Sequence, residues 1–239
     1  MSNLKKLMAI AAILFATSSM LVACSDDDSS TLGPVSVNSV RVTSNSVTII
    51  WSIVPNDKCG GYDVSLLRDS RDGAVVEAKN FDNRTCTYTF TNLEPNSRYV
   101  IKVQAVPGKG FSDAEIFYRE FMTAPLVDGL TVTYSNYGSR EVVSNGQTTT
   151  VSTCTATLTW DAISVDNCGG YNIALYEGTA DNHLENPVAN TRISDNTVSF
   201  PNLIVGNPYC IEGYIVGNTM CDFSTGDKSW FNFTPTPAQ

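Results

Sequence analysis

From residue 34 onward, apolar and polar residues alternate in short runs. Val47, Ile49 and Trp51 alternate with Thr48 and Ile50, and Tyr62, Val64 and Leu66 with Asp63 and Ser65. Tyr88 and Phe90 alternate with Thr87 and Thr89, and Tyr99, Ile101, Val103 and Ala105 keep the same two-residue period. Successive side chains of a strand point to opposite faces, so each run gives one sheet face to a core. Clusters of Gly, Pro, Asn and Asp between the runs supply turns. No long stretch with a 3.6-residue period follows residue 34. The pattern predicts an all-β chain of sandwich type.

The pattern is written twice. DKCGGYDVSLL (57–67) returns as DNCGGYNIALY (166–176), placing Trp51 over Trp160, Cys59 over Cys168 and Tyr62 over Tyr171. TNLEPNSRYVIKVQAV (91–106) aligns with PNLIVGNPYCIEGYIV (201–216), placing Leu93 over Leu203 and Tyr99 over Tyr209. A period near 110 residues means two tandem domains, since solenoid repeats are far shorter. The boundary falls near Thr123-Ala124-Pro125, giving units over 34–124 and 125–239, with a link short enough for end-to-end packing in a stiff rod. The second unit is longer at 135–153, where Asn145-Gly146 is a strong hairpin dipeptide, so an inserted hairpin or a bulging loop is expected there. In the repeated block, Gly-Gly would let the backbone turn sharply into the third strand.

A Trp on an early strand, a Gly-Tyr opening the next, and a Leu-x-x-x-x-x-Tyr corner together resemble the fibronectin type III domain, one of the immunoglobulin-like β-sandwiches. The corner is Leu93 to Tyr99 in the first unit and Leu203 to Tyr209 in the second, where the proline has moved. The resemblance implies a corner tyrosine whose hydroxyl bonds back to nearby backbone. Another immunoglobulin-like sandwich is the rival reading. In a fibronectin-like topology Cys59 and Cys86 lie at one pole, which implies a Cys59–Cys86 disulfide and, by the same logic, Cys168–Cys221. Cys154–Cys210 remains, although Cys154 shares the inward phase of Trp160 while Cys210 is out of phase with Tyr209. Four cysteines allow three connectivities, and all three stay open.

The N-terminus changes the picture of location. Lys5 and Lys6 precede the apolar MAIAAILFATSSM, and Leu21-Val22-Ala23-Cys24 resembles the lipobox of bacterial lipoprotein precursors. That implies removal of a signal peptide (1–23) and an acylated Cys24 as lipid anchor; several acyl chains, palmitate among them, hold durably where one does not. The tether 24–33 begins SDDDSS after Cys24 and resembles the acidic export signal that sends lipoproteins of some Gram-negative bacteria to the cell surface. The expected location is the outer membrane, lipid-anchored and exposed at the cell surface. Even cysteine counts in an exported chain fit disulfides.

Composition narrows the function. The 239 residues are 42% hydrophobic and 16% charged, a globular balance. A net charge of −9 argues against nucleic acid, which needs a clustered basic surface. His183 is the single histidine, which makes nucleophile–histidine catalysis hard to build, and carboxylates such as Asp69, Asp72, Asp113 and Asp222 are scattered in loops. No metal or cofactor site is legible, and no enzyme is expected. Binding remains, through loops at the sandwich poles or through exposed aromatics that stack on sugar rings or anchor a protein. The candidates are Trp230, Tyr137, Tyr134, Tyr118 and Phe223. Phe121 and Phe233 take the core phase, which places Tyr118 and Trp230 on outer faces. The function expected is glycan capture or spacing in a polysaccharide-uptake system, with an adhesive or structural protein contact as the alternative; the partners are membrane and glycan or surface protein.

Overall fold

The computed structural model describes residues 32–55, 57–112, 114–164 and 168–238; the signal peptide, Cys24 and most of the tether lie outside the described residues. Every regular element in them is a strand. The first set comprises β1 (Val37–Val42), β2 (Val47–Trp51), β3 (Cys59–Arg68), β4 (Val75–Phe81), β5 (Thr87–Phe90), β6 (Arg98–Pro107) and β7 (Phe117–Met122). Sheets of order β1-β2-β5 and β4-β3-β6-β7 enclose a core of Val47, Ile49, Trp51, Tyr62, Val64, Leu66, Phe90, Ile101 and Val103.

The second set comprises β8 (Thr131–Ser144), β9 (Gln147–Thr159), β10 (Tyr171–Thr179), β11 (Asn182–His183), β12 (Ala189–Ile193), β13 (Thr197–Ile204), β14 (Tyr209–Ile215) and β15 (Ser229–Phe233). The order is β13-β9-β8 in one sheet and β11-β10-β14-β15 in the other, with β12 also on β10. The fold is all-β, built from sandwiches of the immunoglobulin type. The expected hairpin over 135–153 is present as a prolongation of β8 and β9, with a bulge between Ser135 and Gly138. Asn145 and Gly146 turn the chain with φ of 51° and 75°, the left-handed pair a tight hairpin needs.

Equivalent residues do the same work in both sets. Trp51 packs edge-on against Tyr62 at 5.8 Å, and Trp160 against Tyr171 at 5.2 Å. The Tyr62 hydroxyl accepts the Val54 N–H at 2.7 Å, and that of Tyr171 accepts the Ile163 N–H at 3.0 Å. Both tyrosine corners close: the Glu94 N–H donates to the Tyr99 hydroxyl at 3.0 Å, and the Ile204 N–H to that of Tyr209 at 3.1 Å. Moving the proline costs the second corner nothing visible, because the bond uses only a backbone N–H and the tyrosine. The repeated Gly-Gly is required by close backbone approach. Gly170 has φ of 125°, and a Cβ there would lie 2.8 Å from the Ile193 carbonyl oxygen.

The six cysteines among the described residues are thiols in this structure. For Cys154–Cys210 the geometry gives the reason. Cys154 lies opposite Leu203 of the core and points inward, whereas Cys210 lies between the inward Tyr209 and Ile211 and points out of its sheet. A disulfide needs its Cβ atoms within about 4.5 Å, and here a sheet stands between them. The side chains of Cys59, Cys86, Cys168 and Cys221 all pack on the cores. Cys59 donates to the Gly61 carbonyl at 3.0 Å.

Candidate ligand-binding face

The outer face of the five-stranded sheet carries a cluster of polar and aromatic side chains. Tyr171, Ile173 and Leu175 of β10 point inward, so Asn172, Ala174 and Tyr176 point out. By the same alternation Cys210, Glu212 and Tyr214 of β14 and Trp230 and Asn232 of β15 point out. The register sets Asn190, Ala174, Glu212 and Trp230 side by side across four strands. Ala174 carries only a methyl group in that row. A cavity of about 320 Å³ opens over it, walled by Asn172, Tyr176, Glu212, Tyr214 and Lys228.

Tyr176, one wall of this hollow, packs with two further rings. Tyr176 stands 4.6 Å from His183 and 5.6 Å from Trp230 between ring centroids, and His183 lies nearly parallel to Trp230 at 5.0 Å. The two-residue strand β11 holds the imidazole there through Gly178↔His183 pairing, while its Nδ1 lies 2.8 Å from the Leu184 carbonyl. All three rings are half-buried, so their inner sides are fixed by packing while part of each stays open to solvent.

The polar part of the hollow is held by one ion pair. Glu212 is nearly buried, and its carboxylate accepts from the Lys228 ammonium at 2.9 Å. That hydrogen bond raises the Lys228 pKa above its ordinary value. Burial, and then the negative charge of Glu212, raise the Tyr176 hydroxyl. Amide, carboxylate, ammonium and phenol groups around a small floor, beside an aromatic wall, suit a ligand with hydroxyls on its edges and C–H groups on a face. No cluster of three or more metal-ligating side chains occurs among the described residues.

The sequence candidates fall in different places. Trp230 sits beside the hollow as the register partner of Glu212 and against Tyr176, with Phe231 and Phe233 taking the opposite, core-facing phase. Tyr118 occupies the outer face of the first set's larger sheet, where the Arg71 guanidinium covers its ring at 5.0 Å. Tyr137 is exposed on β8. Phe223 is a correction: it is 94% buried and belongs to the core, because the Val216↔Thr225 bridge folds its loop inward. Tyr134 is corrected in part, since its ring packs on the core and its hydroxyl donates to the Thr234 carbonyl at 3.0 Å. Sequence reading missed Tyr176, His183 and Glu212. The alternation on β10 and β14 was a signal for Tyr176 and Glu212; nothing local marked His183.

Residues 33–117 match the family model of the fibronectin type III domain. Among solved structures, the chain is similar to a segment of two fibronectin type III domains from chicken tenascin, at 12% identity, covering 85% of this chain and 98% of that one with a TM-score of 0.34. It is also similar to a computationally redesigned β-sandwich protein, at 22% identity, covering 39% of this chain and 96% of that one, again with a TM-score of 0.34. No curated protein matches. The match to the fibronectin type III model is confined to residues 33–117, which hold the first set of strands.

Proposed function

We propose that this chain is a non-catalytic, lipid-anchored cell-surface protein that captures glycan on the outer face of its five-stranded sheet. The observation that carries the reading is the contiguous aromatic group Tyr176–His183–Trp230 beside the polar hollow over Ala174. Sugar rings present an apolar C–H face and a polar rim, and this surface offers a partner to each. The acylated Cys24 and the acidic tether supply the address. The Cys59–Cys86 and Cys168–Cys221 pairs belong to the same proposal, as bridges that close in an oxidising compartment.

Affinity electrophoresis of the mature protein through gels cast with a panel of plant and host polysaccharides tests it. Retardation by at least one polymer, lost in Trp230→Ala while the melting temperature is kept, is the expected result. No retardation by any polymer would sink the reading.

A second reading rests on β8, which among the described residues pairs only with β9 and leaves its other edge open along an exposed ribbon carrying Tyr137 and Val143. Open edges accept strands from protein partners. Crosslinking from a photoreactive group at Val143 to a neighbouring surface protein would favour this reading, and its absence in intact cells would remove it.

A further inference from the structure

The hollow over Ala174 does not end at its own walls. It shares Thr225 and Gly226 with a wider groove of about 1140 Å³, bounded on one side by β1 of the first strand set and on the other by the loop from Gly217 to Asp227. The join lies beside Arg192, the register partner of Asn172 at the edge of the hollow. A chain longer than one sugar would therefore run from the aromatic wall past Arg192 and along β1.

The charges of this groove are arranged unevenly. Its two acidic side chains are committed to holding the strand sets together. Asp222 takes the Arg119 guanidinium at 3.2 Å and the Met122 N–H at 3.3 Å, and Asp227 accepts both the N–H and the hydroxyl of Ser44. Its two arginines, Arg41 and Arg192, are exposed, and among the described residues neither enters an ion pair. Arg119 neutralises Asp222, so two open cations face a single uncompensated carboxylate, within a chain whose net charge is −9.

We infer that the groove reads negative charge along an extended polysaccharide, and that the ligand class is an acidic glycan bearing uronate or sulfate groups. This rests on the glycan-binding reading above and specifies its substrate. A planar guanidinium forks two donors onto a carboxylate or sulfate, which a hydroxyl cannot match. The aromatic wall and the hollow bind one sugar by its face and rim, while Arg192 and Arg41 bind charges farther along the chain.

The experiment uses the mature protein with three polymers: polygalacturonate, chondroitin sulfate and neutral dextran. Titration calorimetry and affinity gels are run at low and high sodium chloride. At least one acidic polymer is expected to bind, more weakly as salt rises. Arg192→Ala and Arg41→Ala should each weaken it by roughly tenfold, as loss of a charge-assisted contact implies, at an unchanged melting temperature. Binding of dextran alone, or acidic binding that survives Arg41→Ala together with Arg192→Ala, would overturn the inference while leaving glycan capture standing. Failure of all three polymers, and of every other polymer in the panel above, would remove both.

Discussion

The two larger sheets carry an aromatic residue at the same outward position. Tyr118 pairs with Lys102 on β6, and Trp230 pairs with Glu212 on β14, where Lys102 and Glu212 each lie three residues beyond a corner tyrosine. Around Tyr118 the chain closes the surface: Arg71 covers the ring, Leu67 is buried beside its strand partner Val100, and Asn80 donates to Asp63. Around Trp230 it opens the surface. Tyr176 stands where Leu67 does, Ala174 where Ser65 does, and β11 adds His183, a ring with no counterpart in the first set. The inward positions stay alike, down to the two tyrosine corners. The two strand sets thus share an interior and differ on one outer face, and the proposed site lies where they differ.

Removing a shared interior residue should have the largest effect. Trp51→Ala and Trp160→Ala should each cost about 3–5 kcal/mol, the usual range for deleting a buried tryptophan, read by calorimetry on the purified protein. Unequal losses, with one variant nearly unaffected, would break the equivalence of the two interiors. The corners sharpen it at lower cost. Tyr99→Phe and Tyr209→Phe each leave a backbone N–H without its hydroxyl partner and should lose about 1 kcal/mol in denaturant melts. A null effect at Tyr209 alone would mark the second corner as dispensable.

Much of this plan is legible in the sequence because it is local. Two-residue alternation places Trp51, Trp160, Tyr118 and Trp230 on the correct faces, and Asn145-Gly146 dictates its own turn. The binding face is less legible because it is assembled across strands. Tyr176, Glu212 and Trp230 are neighbours only through the β10–β14–β15 register, and His183, read as part of a polar loop, joins them through a two-residue strand. Cys210 shows the same limit. Its outward phase is visible locally, yet pairing by elimination set it against Cys154, which lies on the inner side of the other sheet. Phe223 sits in an irregular loop with no period to betray its burial.

The central claim is that the open face around Trp230 binds and the closed face around Tyr118 does not. Trp51 and Trp160 are buried while Trp230 is half-buried, so ligand bound at the hollow should be reported by Trp230 alone. Tryptophan fluorescence, followed during titration with a polysaccharide retained in the affinity gels, tests this directly. The account predicts a saturable change that vanishes in Trp230→Phe and persists with unchanged affinity in Tyr118→Ala. Binding that survives Trp230→Ala and is lost in Tyr118→Ala would contradict it.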